Sequence, residues 1–122
     1  MHIVTSPTTV QPFVGELGEL VYPMIGREPS FGGSTLHSLA YVLIPPGKSS
    51  KAHFHRKSEE TYCILRGQGE MSINDRIFSL TPGQACLIQP HEVHQIRNDS
   101  VEPLEFLVIC TPIWTPDDYF PV

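Results

Sequence analysis

Apolar and polar residues alternate in short bursts along most of this chain, and no stretch of useful length repeats its apolar positions at helical spacing. Ser34–Ile44 alternates well enough for a strand and is stopped by Pro45-Pro46-Gly47, a strong turn signal. Ala52–Phe54 begins a short extended piece. Thr61-Tyr62-Cys63-Ile64-Leu65 is β-branched and aromatic until Gly67-Gln68-Gly69 turns the chain. Glu70–Ile73 and Arg76–Leu80 flank Asn74-Asp75, read as a two-residue hairpin loop whose residues tolerate the positive φ of such a turn. Thr81-Pro82-Gly83 turns the chain again, and Ala85–Ile88, Val93–Arg97 and Leu104–Cys110 complete a series of strands about ten residues apart. Gly15–Ile25 is mixed and resists assignment. Strands at this spacing predict an all-β antiparallel sandwich or closed barrel, since closure removes exposed edges.

The ends differ from the middle. Residues 1–12, rich in Thr and Pro, read as an N-terminal arm or a loose edge strand. Residues 111–122 form an aromatic, Pro-rich tail that cannot make a regular central strand. This tail is expected either to pack over a barrel end or to reach a partner subunit, because its aromatics would otherwise be an exposed apolar patch. Nothing between resembles a linker, so residues 1–122 read as one domain.

Composition narrows the class. A chain of 122 residues can bury a core without disulfide staples, and twelve prolines with nine glycines suit frequent turns. The net charge is −5 and the few Lys and Arg residues are scattered, which argues against nucleic acid as a partner. Runs such as Leu39–Pro46 and Phe106–Cys110 are too short to span a bilayer, so no membrane partner is expected. Met1–Pro7 has no basic segment followed by an apolar stretch, so no signal peptide is expected. Three cysteines, Cys63, Cys86 and Cys110, are an odd number without CxxC spacing. They read as reduced thiols packed on strands of a cytoplasmic protein, the other reading being a nucleophile or metal ligand.

The candidate chemistry lies in the histidines. In an extended segment His53 and His55 point to one face while Phe54 points to the other. Two neutral imidazoles on one wall can begin a divalent-metal site, given further ligands from neighbouring strands. Glu60 opens the apolar run 61–65, where a buried carboxylate needs a partner. Its neighbour Glu59 must face the other way. His94 follows Pro90-His91-Glu92-Val93 at the opening of another strand and alternates with Ile96, so a strand entering from that turn can deliver it to the same cavity. Each piece alone is ordinary: a strand His is commonly a hydrogen-bonded structural residue, and an HxH pair arises by chance. The composite decides.

That composite resembles the cupin superfamily. The first motif reads Gly47, five residues, His53, one, His55, four, Glu60, six, Gly67, over 47–67. The second, over 83–98, reads Gly83, five residues, Gln89-Pro90-His91, two, His94, three, Asn98. Gln89 stands where the family usually has Pro and His91 where it usually has Gly, which bears on the shape of the turn before His94. The fifteen residues between the motifs are typical of small single-domain microbial cupins.

The resemblance implies a double-stranded β-helix, a conical jelly-roll barrel of six to eight strands, with a metal inside its wider mouth. It assigns His53, His55, Glu60 and His94 as ligands of one divalent transition metal. Three borderline nitrogens and one hard oxygen suit Mn or Fe first, with Ni, Zn, Co and Cu as alternatives. Four protein ligands leave a coordination position open. The expected function is therefore a metal-dependent enzyme acting on a small polar molecule, of dioxygenase, isomerase, decarboxylase or lyase type, with Glu60 shifting between ligand and base. The alternatives are a non-catalytic metal or small-ligand binding or sensing module and a storage barrel. Similar cupins are commonly homodimers. Alternation adds Tyr62 and Ile64 beside Glu60, Ile96 beside His94, and Lys51 beside His53 as pocket candidates. Tyr62 either packs or, through its hydroxyl, orients Glu60 or meets substrate, and His91 in the mouth turn is either a general base or a solvated loop residue. Gly47, Gly67, Gly83 and Asn98 are assigned to turns.

Overall fold

Turn residues at short intervals leave the chain no room for anything but strands. The structure, a computed structural model, describes residues 2–122 and contains eleven of them. These are β1 (Phe13–Val14), β2 (Leu20–Ile25), β3 (Ser38–Ile44), β4 (His53–Phe54), β5 (Glu59–Arg66), β6 (Gly69–Ile73), β7 (Arg76–Leu80), β8 (Ala85–Ile88), β9 (His94–Arg97), β10 (Leu104–Thr111) and β11 (Phe120–Pro121). Single 3₁₀ turns cover Pro29–Phe31 and Pro116–Asp118. A six-stranded sheet runs β1-β2-β3-β10-β5-β8 and a five-stranded sheet runs β11-β4-β9-β6-β7. All pairings of named strands are antiparallel. The strand count exceeds the six to eight implied above because two-residue strands β1, β4 and β11 extend the sheets. No helix among the described residues is long and apolar enough to cross a membrane.

The strands read from alternation appear at or near their expected bounds, and Asn74 in the β6–β7 loop takes a φ of +52°. The unassigned Gly15–Ile25 contains β2. Its pattern is broken by Pro23 and by a register irregularity between Pro23 and Ile25. Pro23 has no amide hydrogen, but β1 covers only Leu20 and Val21, so this part of β2 is a sheet edge where none is missed. The arm forms no strand over 2–12, and Thr5 Oγ1 donates to the Met24 carbonyl at 2.9 Å.

The core lies between the sheets and grades from apolar to polar along the barrel. Ile44 and Leu104 fill one end, Val42, Ile64, Met71, Ile96 and Phe106 the middle, and Tyr62 stacks on Phe106 at 4.9 Å. Beyond Tyr62 the buried residues become His53, His55, Glu60 and His94. The turns hold their expected residues. Gly47, Gly67 and Gly83 have φ between +78° and +88°. Asn98, fully buried, donates to the carbonyls of Ile44 and Glu102. The outer face of the six-stranded sheet leaves Leu65, Leu87 and Ile109 exposed.

Candidate metal centre

Three strands and one turn bring the polar cluster together. His53 on β4 pairs with His94 on β9 across the five-stranded sheet, and Glu60 stands near the start of β5 in the opposite sheet. His55 follows β4 at the entry to the Arg56–Ser58 turn. Alternation holds where the chain is extended: His53 and His55 are buried on one side of Phe54, and Glu60 is buried while Glu59 is exposed. One ligand atom from each of His53, His55, Glu60 and His94 lies within 4.8 Å of all the others. Ligands about 2.1 Å from a shared ion stand about 3 to 4.2 Å apart, so the cluster is close to that size.

The hydrogen-bond pattern shows what the cluster lacks. Each imidazole places Nδ1 on a backbone carbonyl: His53 on Lys51 at 2.8 Å, His55 on Asp118 at 2.6 Å, and His94 on Glu92 at 3.0 Å. A carbonyl only accepts, so Nδ1 carries the proton and Nε2 of a neutral ring presents a lone pair. His55 Nε2 and His94 Nε2 both stand 3.1 Å from Glu60 Oε1, yet these three buried atoms have no hydrogen-bond partner. Lone pairs facing a carboxylate in a buried site require a positive charge between them. The donor set and its geometry fit a divalent metal ion.

The protonation tendencies agree. Burial, then the neighbouring His94, pushes His53 down to about 4, which keeps it neutral near pH 7. Burial opposes charge on His55 too, but the Glu60 carboxylate outweighs it and raises the His55 pKa. Burial would likewise raise Glu60, but His55 and His94 hold it well below the carboxylate range. The Glu60 carboxylate thus favours positive charge beside it.

The other expected pocket residues divide. Tyr62 is buried, forms the floor beside His94 at 6.0 Å between ring centres, and has no hydrogen bond to Glu60. Burial raises its pKa, so the phenol keeps its proton. Ile64 and Ile96 lie deeper, in the core. The Lys51 ammonium turns outward to Glu16 at 3.3 Å, and its carbonyl, not its charge, serves His53. His91 is exposed and lies over Phe54 at 6.4 Å, on the face of β4 away from the cluster. It takes φ of +70° where the resemblance expects Gly, so the turn keeps its left-handed residue, and its amide donates to the His55 carbonyl at 2.6 Å.

Two contributors lay outside the sequence reading: Asp118 and Tyr119. The tail packs on its own chain, β11 pairing with β4, and Phe120 is stacked between Phe54 at 5.2 Å and the Arg56 guanidinium at 4.2 Å. Asp118 is buried, and its carboxylate accepts the amides of Arg56, Lys57 and Ser58 at 2.9 to 3.1 Å. Those amides more than offset its burial and lower its pKa. Its carbonyl is the acceptor that orients His55. The Tyr119 ring lies 4.6 Å from that of His53. Neither had a local signal: each contact joins residues more than sixty positions apart in the chain.

An uncharacterised protein of Methanocaldococcus jannaschii is 28% identical over 116 residues, 95% of this chain and 91% of its own. The oxalate decarboxylase of Lactobacillus farciminis, solved with formate, has a TM-score of 0.80 at 27% identity over 94% of this chain, which spans 34% of that longer protein. The polyketide cyclase RemF of Streptomyces resistomycificus shares the fold with a TM-score of 0.81 at 22% identity, covering 100% of this chain and 86% of its own. Residues 40–110, more than half of the chain, match the cupin domain, and the chain belongs to the cupin family.

Proposed function

We propose that His53, His55, Glu60 and His94 hold one divalent transition metal, Mn or Fe, and that the chain is a metal-dependent enzyme acting on a small polar molecule. The observation that carries this is the convergence of His55 Nε2, His94 Nε2 and Glu60 Oε1, buried and unpaired, from rings whose Nδ1 atoms are already committed to carbonyls. Bound there, the metal supplies a Lewis-acid or one-electron centre with a position left open by four protein ligands.

The chain's own residues do the rest. The carbonyls of Lys51, Asp118 and Glu92 fix the imidazole tautomers. Tyr62 and Phe106 close the site below and exclude water from the core side. Tyr119 covers His53. Among similar proteins, an oxalate decarboxylase and a polyketide cyclase share this barrel, which supports catalysis over storage. Three free cysteines support a cytoplasmic setting, and the exposed Leu65, Leu87 and Ile109 on one sheet face support a homodimer formed there, not through the tail.

Elemental mass spectrometry on untagged protein purified without added metal tests the reading. About one Mn or Fe per chain is expected. His94→Ala should empty the site, whereas the same change at exposed His37 should leave metal content unchanged. Equal losses in the two variants, or no metal taken up by the parent protein on titration, would overturn it.

A further inference from the structure

One stretch of the barrel's inner surface is left open beside the cluster. Residues paired across neighbouring strands share a face, so the register of β2, β3, β10 and β5 lays the inward side chains of the six-stranded sheet in rows. Val21, Val42, Phe106 and Ile64 form one row. Pro23, Ala40, Val108 and Tyr62 form the next, and Ser38, Cys110 and Glu60 form the one that reaches the cluster. Packing is closed in the first row from β3 onward, where Val42, Phe106 and Ile64 are buried. It is not closed above them. Val108 is half-buried, although Phe106 and Cys110 on either side of it along β10 and Tyr62 beside it on β5 are all buried. Water therefore reaches Val108 from the β3 side, and there Ala40, Pro23 and Ser38 are half-buried as well. Ala40 carries nothing beyond Cβ, so its row leaves free the space that larger side chains fill below it.

Resting on the metal-site reading above, we propose that Ala40 and Val108 select the substrate of this centre. That substrate has a metal-binding oxygen at one end and an uncharged apolar body, an aromatic ring or a short branched chain, that lies over these two residues.

Position and chemistry both fit. Val108 stands directly opposite Tyr62 and diagonal to Glu60, and diagonal neighbours of this kind are about 7–8 Å apart. One small molecule can therefore rest on Val108 and still reach an ion held at Glu60. Pro23, Ala40 and Val108 offer no side-chain group that pairs a charge or a hydroxyl. Ser38 is the polar member of the open surface, and its hydroxyl oxygen already accepts the Trp114 amide at 3.1 Å. A phosphorylated or many-hydroxyl body would lose water against this wall without finding partners, whereas an apolar body gains by leaving water. An apolar wall with a few polar groups converging at one end is the common build of a small-molecule site.

Cobalt-loaded protein and two hydroxamic acids test the assignment by visible absorption. Acetohydroxamic acid and benzohydroxamic acid bind a metal through the same two oxygens and differ in carrying a methyl or a phenyl group. Relative to their affinities for aqueous cobalt, benzohydroxamic acid should bind the parent protein about tenfold or more tightly, the gain from burying most of a phenyl ring. Ala40→Leu, which fills the open space, should remove that preference. Val108→Thr, which keeps the side chain's shape and adds a hydroxyl, should lower it about threefold. Both variants should hold cobalt at the parent's stoichiometry, because neither residue is a ligand. Equal affinity of the parent for both probes, no spectral response to either, or a preference that survives both substitutions would overturn the assignment while leaving the metal site standing. Failure of the parent protein to take up cobalt would instead overturn the metal site, and the substrate assignment with it.

Discussion

Replacing Asp118 with Ala should weaken metal binding by about 10- to 100-fold without touching any ligand, the effect expected when a residue that orients a metal ligand is lost. The carboxylate accepts three backbone amides, from Arg56, Lys57 and Ser58, and so fastens the tail to the turn that follows His55. A hydrogen bond to a charged acceptor is worth about 1.5–3 kcal/mol where water is excluded. Arg56 and Lys57 are exposed, so water can replace part of what their amides lose, and only the buried Ser58 amide bears the full effect. About 2 kcal/mol of lost ordering is a reasonable sum, equal to roughly a 30-fold change in an equilibrium constant. That ordering reaches the metal because the Asp118 carbonyl is the acceptor holding the His55 ring at 2.6 Å. Competition titration against a chelator of known affinity reads the change directly, and thermal unfolding of the metal-free protein separates it from general destabilisation. Removal of residues 116–122 deletes the carbonyl as well and should weaken binding at least as much. An Asp118→Ala protein that binds metal within about twofold of the parent would show that His55 needs no fastening from the tail.

Acidification should release the metal sooner than free imidazole would suggest. The Glu60 carboxylate raises the His55 pKa, so protons begin to compete with metal above the ordinary value of 6.5, and affinity should fall about tenfold per pH unit once that value is passed downward. His53, lowered to about 4, adds no competition until the solution is far more acidic. A chelator titration between pH 8 and pH 5 that shows constant affinity would refute this. Gly67→Ala should destabilise the fold through backbone geometry alone: φ is +81°, and the new Cβ would lie 2.3 Å from the Pro103 carbonyl oxygen. A loss of about 3 kcal/mol, or about 10 °C in Tm, is expected from calorimetry. A Tm unchanged within about 2 °C would mean the turn between β5 and β6 gives way at little cost.

What could be read from the chain, and what could not, divides by the range of the interactions involved. β3, β5, β6 and β7 were legible because period-two alternation and the turn residues around them act within a few positions. β2 was not, because Pro23 and the adjacent irregularity interrupt that alternation, and Pro23 is tolerated only because of where the sheet edge lies. The same division runs through the candidate centre. His53 and His55 could be placed together because one residue separates them on an extended segment, and Glu60 and His94 because each begins a strand. Lys51 was misplaced by extending alternation to a residue before β4 begins, whereas His91 is exposed in its turn, in keeping with its reading as a solvated loop residue. Asp118 and Tyr119 act across more than sixty positions, so no local pattern could announce them.

The long-range residues therefore control properties that the motif residues do not carry themselves. His53, His55, Glu60 and His94 supply the donor atoms, but the Asp118 carbonyl settles which nitrogen of His55 faces the cluster, and the tail decides what covers His53. Two barrels with the same motif spacing need not share an affinity or a substrate, since both depend on what the rest of the chain brings against the cluster. In this chain it brings the Tyr119 ring over His53 and the Asp118 carbonyl onto His55. Transplanting residues 47–67 and 83–98 into another barrel should therefore transfer a metal site of lower affinity, with its His55 equivalent loosely held unless an acceptor for Nδ1 is built alongside.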